Sequence, residues 1–420
     1  MKPGTRLRIG MLGVVAAVAG RAAPLRGQTA AGDGGVRPLA VTFSYGGELV
    51  GNAAGGVRRG AAFAGAAGAQ ATLQLEPLAG WHGASLFVFV LGTHGGAPSG
   101  LVGDVQGVSN LQAPPAVRLE EAWLQQNLLA GRVSWLAGRY DLNTEFYRLQ
   151  SGALFLNSSF GIGPEFAQSG AAGPSIYPNT AAGSRVDVKP SANVVVRAAV
   201  LDGVPVDRPG GGVRLFARGD GALLVGELAV VARPDTAGMP RHRRFAIGRG
   251  STRPYAAKLA VGGWYYTARF PDLSATLPSG APVPHRGSRG AYLIADRTLW
   301  AAKDGGPGTL TAFLQLGLGD GRVNQVAAYA GGGLTLAAPI AGRPLDALGL
   351  AVAAARNGSH FAAATDAAGP GGETTVELTY AAQLGSWLSL QPDAQYVIHP
   401  GGVAGRRNAL ALGLRVAASR

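Results

Sequence analysis

Alternation of apolar and polar residues is clearest in the last third of the chain. In the segment ETTVELTYAAQL, one face of an extended chain would carry Thr375, Glu377 and Thr379, and the other would carry Val376, Leu378, Tyr380 and Leu384. The segments TLTAFLQLGL and NALALGLRV repeat this period of two. Because successive side chains of a β-strand point to opposite faces, these segments are predicted to be strands with one apolar and one polar face.

Segments of this kind recur along most of the chain, and about sixteen can be counted. Four lie within 119–202, and the others lie near 41–52, 61–76, 81–91, 222–232, 255–269, 290–302, 309–318, 326–337, 345–356, 373–384, 386–398 and 408–416. Strands of roughly ten residues are long enough to cross a bilayer at a tilt. Short turns such as KPSAN alternate with long loops such as 141–180, which is typical of outer-membrane barrels.

A soluble β-sandwich would also alternate, because its strands face the core on one side and water on the other. Here the polar face carries glycine, alanine and single charges rather than dense lysine and glutamate, which suits a crowded lumen better than an open surface. The pattern therefore predicts an all-β fold, a transmembrane antiparallel β-barrel of about sixteen strands with long extracellular loops, closed around an aqueous channel.

The first twenty residues resemble a signal peptide. Lys2, Arg6 and Arg8 precede the apolar run IGMLGVVAAVAG, and small residues suit cleavage near Ala19 or Gly20. The run is too short to span a bilayer comfortably. We therefore expect residues 1–20 to direct export, residues 21–40 to form a short periplasmic segment, and residues 41–420 to form a single barrel domain.

Charge and cysteine content narrow the classes of function. The formal net charge is +13, which raises the possibility of an acidic partner, but the arginines are scattered and no basic helix is predicted. Nucleic-acid binding is therefore not expected. The cysteine count of 0 excludes disulfides and thiolate metal sites. A basic cluster at 233–254 is longer than a simple turn and has no specific interpretation.

Three strings in the central region resemble the carbohydrate-selective porin family (OprB). They are E-x-W-x-x-Q from Glu121 to Gln126, G-R-Y-D-L-N-x-E-F from Gly138 to Phe146, and A-L-F-L-N-S-S-F-G-I-G-P-E-F from Ala153 to Phe166. E-L-T-Y, Q-P-D-A-Q-Y and A-L-A-L-G-L-R resemble its carboxyl-terminal pattern. The resemblance implies an outer-membrane channel that admits sugars by passive diffusion.

The narrowest part of such a channel is expected at the 141–180 loop, folded into the lumen. Its candidate constriction residues are Phe155, Asn157, Phe160, Glu165, Phe166 and Tyr177. Alternation along the flanking strands places Glu121, Trp123, Arg139, Arg185 and Arg197 on inward faces, where we expect them to line the pore. Charged groups can replace the water around sugar hydroxyls, and aromatic rings can cover the C–H faces of a sugar. Glucose-type monosaccharides are the expected solutes.

Each of these assignments has an alternative. The arginines could pair with carboxylates across the lumen instead of contacting sugar, and Trp123 could lie in the aromatic girdle at the membrane interface. The string LFLNSSFGIGPEF could shape the loop rather than contact solute, because its glycines permit tight turns.

Two other functions remain open from the sequence. A general or anion-preferring porin would suit the basic balance of the chain. An outer-membrane hydrolase is disfavoured, because the six histidines are isolated in sequence and no H-E-x-x-H or G-x-S-x-G motif is present.

No metal or cofactor is implied. The expected partners are sugar solutes and outer-membrane lipid and lipopolysaccharide, and the sequence leaves open whether the barrel is a monomer or a trimer. The chain ends in VAASR, without the aromatic residue that outer-membrane barrels commonly carry on the last strand.

Overall fold

A computed structural model describes residues 38–205, 216–232, 255–302, 308–365 and 371–419. The predicted signal peptide and the basic cluster at 233–254 lie outside the described residues.

Sixteen strands follow one another along the described chain. They are β1 (Leu39–Ala54), β2 (Gly60–Gln74), β3 (Ala84–Gly95), β4 (Ala116–Leu128), β5 (Val133–Tyr140), β6 (Ala181–Val188), β7 (Val194–Asp202), β8 (Ala222–Ala232), β9 (Ala257–Thr276), β10 (Pro282–Ala301), β11 (Thr309–Gly319), β12 (Val326–Ala337), β13 (Ala347–Asn357), β14 (Gly372–Gln383), β15 (Leu388–Ile398) and β16 (Ala409–Ser419). The predicted number of strands is confirmed.

Helices occur only as single turns or little more in the described residues. The α-helices are α1 (Glu76–Ala79), α2 (Ser99–Val102), α3 (Pro164–Ala167) and α4 (Ser359–Ala364). The 3-10 turns are Leu129–Gly131, Leu142–Thr144, Gly152–Leu154, Ser158–Phe160 and Pro400–Gly402. None of the helices in these parts of the chain is long and apolar enough to span a membrane.

Every strand pairs antiparallel with its neighbours in sequence, and β1 pairs with β16 to close the barrel. The closing register runs from Ser44 opposite Ser419 to Ala54 opposite Leu410, with one irregularity between Asn52 and Ala54. Closure is required in lipid, since an open edge would leave main-chain groups without hydrogen-bond partners. β16 therefore completes the sheet by pairing with β1.

The two faces of the strands differ as the alternation predicts. On the outer face of β13 and β14, Leu350 and Leu378 are 50% and 51% exposed. Facing the interior, Gln315, Thr375 and Glu377 are fully buried. The apolar face therefore meets lipid and the polar face meets the lumen, which is the reverse of a soluble sandwich.

The hairpin of β9 and β10 is longer than predicted. Each strand has 20 residues and continues through segments that contain Pro271, Pro282 and Pro284. Register shifts occur between Pro282 and Pro284 and between Arg286 and Ser288. Bulges of this kind accommodate proline and glycine within a strand. The sequence pattern predicted these residues to be a loop.

The lipid-facing assignment of the apolar face predicts the cost of a charge there. Leu350→Arg places a guanidinium in the middle of the outer apolar belt and is expected to lower the free energy of unfolding in a bilayer by about 2–4 kcal/mol. Leu345→Arg, in the turn before β13 where Leu345 is 47% exposed, should cost at most about 1 kcal/mol. Urea titration of both variants in liposomes measures the difference, and equal costs would contradict the assignment.

Candidate pore constriction

The 141–180 loop connects β5 to β6 and reaches the far wall of the barrel. Asp296 of β10 accepts hydrogen bonds from the main-chain N–H groups of Gln150 and Ser151, both at 3.0 Å. Glu377 of β14 accepts in the same way from Leu156 at 2.6 Å and Asn157 at 3.0 Å. Carboxylates from strands that are distant around the barrel thus hold the loop across the lumen, an attachment that the sequence analysis did not foresee.

Short turns explain why the loop needs these carboxylates. A 3-10 turn leaves main-chain N–H groups at its start without internal partners. Within the loop, Asp141 accepts from the Asn143 N–H at 2.8 Å, and Asn157 accepts from the Ser159 N–H at 3.0 Å. Wall carboxylates satisfy other N–H groups, so backbone hydrogen bonds are one part of what holds the loop in the lumen.

The aromatic residues of the loop pack against the wall. Phe155 and Phe160 lie 5.6 Å and 5.9 Å from Phe313 of β11, between ring centroids. Phe166 stacks on Trp264 of β9 at 4.1 Å. The three loop phenylalanines are at most 1% exposed. Their position fits the loop-shaping alternative rather than direct contact with a solute.

The polar loop candidates are held in the same way. Asn157 donates to the side chain of Gln395 at 3.1 Å, and Tyr177 donates to the main-chain oxygen of Leu111 at 2.9 Å.

Glu165 accepts from the Tyr147 hydroxyl at 3.0 Å and is fully buried. Burial raises the pKa of Glu165 to about 7, against the smaller lowering effect of the Tyr147 hydrogen bond. Among the six loop candidates, only Tyr177 keeps partial exposure.

Two predicted arginines meet a carboxylate that the sequence analysis did not single out. Arg185 makes two 2.8 Å hydrogen bonds to Glu145, one from Nε and one from Nη2. Arg197 pairs with Asp187 at 2.6 Å and 3.1 Å, and donates to the main-chain oxygen of Glu145 at 2.7 Å. Glu145 lies in the N-x-E-F part of the family string, so its position there is the signal that could have identified it.

Exposure separates the two arginines. The side chain of Arg185 is 1% exposed, whereas those of Arg197 and Glu145 are 13% and 22% exposed. Arg185 therefore acts as a buried structural partner, which is the alternative considered for it. Arg197 and Glu145 retain surface that a solute can reach.

The remaining wall candidates lie together on β4 and β5. The Trp123 indole donates to Glu121 at 3.0 Å and stacks on Phe87 at 4.9 Å. Trp123 is 4% exposed, so it lies inside the barrel and not in the outer aromatic girdle. Arg139 donates to Thr180 at 2.8 Å and is half-buried.

A bulge brings a second carboxylate to this wall. Phe89 of β3 pairs with Glu121, but the next residue, Val90, pairs with Leu119, so Glu120 is the extra residue. Both Glu120 and Glu121 are 2% exposed. Strict alternation would have turned Glu120 outward, which is why the sequence analysis missed it.

The sequence model of the family described as carbohydrate-selective porin, OprB family, matches residues 58–419. The chain belongs to this family. No curated protein matches the sequence.

Solved structures support the barrel architecture of the porin. A high-pH structure of Pseudomonas putida OprB has a TM-score of 0.75 at 22% identity and covers 91% of this chain and 94% of that chain. The low-pH structure of the same protein has a TM-score of 0.56 at 17% identity, covering 91% and 93%. The outer membrane channel DcaP of Acinetobacter baumannii has a TM-score of 0.53 at 9% identity, covering 91% and 97%. At these identities the likeness concerns the fold, and with the family it places the porin in the bacterial outer membrane.

A glycine of the wall is needed where the loop docks. A Cβ on Gly317 of β11 would overlap the Glu165 carboxylate. Gly317→Ala is therefore expected to displace the loop, lower stability by about 1–3 kcal/mol, and change the single-channel conductance of the porin. Gly51→Ala is the control, because the nearest atoms to its added Cβ are 3.9 Å away. Thermal unfolding and conductance that are the same in both variants would contradict this role.

The raised pKa of Glu165 predicts a pH dependence of stability. Between about pH 4.5 and pH 7 the folded porin keeps a proton that the unfolded chain has lost. This contribution therefore favours folding below about pH 4.5 and is lost as the pH rises to about 7, by roughly 3 kcal/mol in total.

Glu165→Gln should remove this part of the pH dependence. The measurement is the free energy of unfolding of wild type and variant at pH 4 and pH 8, followed by tryptophan fluorescence. Glu76→Gln is the matched control, since the Glu76 side chain is 57% exposed. If Glu165→Gln kept the full wild-type difference between the two pH values, Glu165 would not be its source.

Proposed function

We propose that this porin lets sugars, glucose-type monosaccharides above all, diffuse passively through the part of the lumen that the 141–180 loop leaves open, past Arg139, Arg197 and Glu145. The observation that carries the proposal is the loop's attachment across the lumen opposite partly exposed charged groups, in a chain of the carbohydrate-selective porin family.

The groups that remain accessible have the chemistry that a sugar requires. Arg139, Arg197 and Glu145 present donors and acceptors that replace water around hydroxyl groups. Tyr177 adds a partly exposed aromatic ring that can cover an apolar sugar face. Their own hydrogen bonds hold these side chains in place, so contacts with a solute form without much ordering of the wall, and weak binding allows release.

Ion pairing in the lumen favours sugar over anion selectivity. Arg185, Arg197 and Arg415 lie beside Glu145, Asp187 and Glu48, respectively. Each pair removes most of the long-range field of its arginine. These three arginines therefore add little net positive charge to the lumen.

Selectivity is tested by uptake into liposomes that carry the refolded porin. Glucose, a disaccharide and an amino acid of similar size to glucose are compared. Entry of glucose several times faster than the amino acid supports the proposal, whereas entry by size alone indicates a general porin. A reversal potential strongly favouring chloride in a salt gradient would indicate the anion-preferring alternative.

The Arg139→Ala variant tests whether this wall residue lines the sugar pathway. Arg139→Ala is expected to change glucose flux at least about threefold, because it removes one charged hydrogen-bonding group worth on the order of 1 kcal/mol, while the amount of assembled protein stays the same. Arg297→Ala, which removes an exposed arginine from β10, should leave flux unchanged. Equal glucose flux in wild type and Arg139→Ala would remove Arg139 from the pore-lining set.

A further inference from the structure

A groove runs across the outer, lipid-facing side of β7 to β11. Its floor is one row of small residues that pair in register from strand to strand: Ala198, Gly226, Gly263 and Ala291. Leu224, Tyr265 and Leu318 form its walls, and its rim carries Arg289 and the ion pair of Arg322 with Asp320. The volume is about 1060 Å³, and we call this feature the outer groove. It is an open depression, and its small floor residues leave room for an acyl chain close to the backbone.

Arg269, Arg286 and Arg289 lie on the same outer face, next to the groove, at the end of the barrel that carries the 141–180 loop. Arg289 pairs with Tyr265, two residues along the strand from the floor residue Ala291, and Arg286 pairs directly with Arg269 further out. All three are exposed. We call them the arginine patch. Tyr265 is 37% exposed on the same face, and tyrosine is enriched where the apolar belt meets the polar headgroup region.

The pairing of the arginine patch is unfavourable without a ligand. Like charges directly opposite each other on neighbouring strands repel, and Arg269 and Arg286 are such a pair. Within the described ranges, none of the three guanidinium groups makes an ion pair or a hydrogen bond. An anion bound between them would remove the repulsion, and guanidinium groups match phosphate oxygens with paired hydrogen bonds.

A second copy of the chain does not supply that anion from its barrel wall. Every Asp and Glu in the sixteen described strands is buried: Glu48, Glu120, Glu121, Asp187, Asp202, Glu227, Asp272, Asp296, Glu373, Glu377 and Asp393. The outer face of another barrel therefore presents no carboxylate from these strands to the arginine patch. A phosphorylated lipid presents both an anion and an apolar chain.

We propose that the outer groove and the arginine patch form a binding site for one phosphorylated glycolipid of the outer leaflet. An acyl chain lies along Ala198, Gly226, Gly263 and Ala291, and the phosphates lie on Arg269, Arg286 and Arg289. The site is on the outside of the barrel and does not depend on which solute passes through the lumen.

The test measures lipid binding to the refolded full chain in detergent by native mass spectrometry. The probes are diphosphoryl lipid A, monophosphoryl lipid A and phosphatidylcholine. Wild type is expected to bind one diphosphoryl lipid A, monophosphoryl lipid A more weakly, and phosphatidylcholine weakest. The triple variant Arg269→Gln, Arg286→Gln, Arg289→Gln should bind the diphosphoryl lipid at least about tenfold more weakly, since each arginine near an anionic lipid adds to its attraction.

Two further variants separate the site from general attraction. A control triple variant, Arg58→Gln, Arg59→Gln, Arg297→Gln, removes the same charge from exposed positions away from the groove and should keep binding within about twofold of wild type. Ala291→Phe fills the groove and leaves the arginine patch intact, so it should weaken lipids with full-length chains while leaving the phosphate preference. All variants are first checked for the electrophoretic mobility of the folded barrel.

Three results would overturn the proposal. One is equal loss of binding in the two triple variants, which would show general electrostatic attraction. Another is equal binding of all three lipids by wild type. The third is a dimer of the wild-type chain that carries no lipid and that Ala291→Phe dissociates, which would make a second copy the occupant of the groove.

Discussion

The need to satisfy main-chain hydrogen bonds in lipid determines the rest of this structure. A sheet in a bilayer cannot keep an open edge, so β1 must pair with β16 and the strands must enclose a lumen. Closure also fixes the faces. Leucine and valine face the lipid, and polar residues face the interior. Inside the barrel, polar side chains from different strands lie close enough to contact one another.

Polar residues inside such a barrel must find partners, because a buried charge without one is costly. Glu227 shows how densely they do so: it accepts from the Tyr147 N–H at 2.9 Å and the Tyr292 hydroxyl at 2.7 Å, and lies 3.4 Å from the Lys258 ammonium. The same carboxylate thus joins the 141–180 loop to three strands of the wall. Local pairing of this kind reduces the charge that these groups present to the channel.

Much of the fold follows from the period of two, because lipid enforces it at every strand. Leu378 and Glu377 point outward and inward as the alternation predicts. The period fails where the backbone leaves regular geometry. The bulge at Glu120 puts two successive carboxylates on the buried side. Prolines within β9 and β10 interrupt the alternating pattern, although both strands continue through them. Neither feature has a local signal strong enough to override a regular pattern.

Less of the candidate site could be predicted. The inward faces of Glu121, Trp123, Arg139, Arg185 and Arg197 follow from strand alternation, and the inward course of the loop follows from the resemblance. Which of them stay exposed depends on contacts between residues far apart in sequence, such as that of Arg185 with Glu145. Burial of Phe155, Phe160 and Phe166 has the same origin, since their partners belong to β9 and β11.

Attachment of the 141–180 loop through its main chain has a consequence for how such channels diverge. Asp296 and Glu377 contact N–H groups that every residue except proline possesses. Loop side chains that make no contact with the wall can therefore change while these backbone contacts remain. Evolution or design can therefore alter what passes through the barrel by single substitutions at such positions, because the hydrogen bonds of Asp296 and Glu377 to the loop backbone do not depend on them.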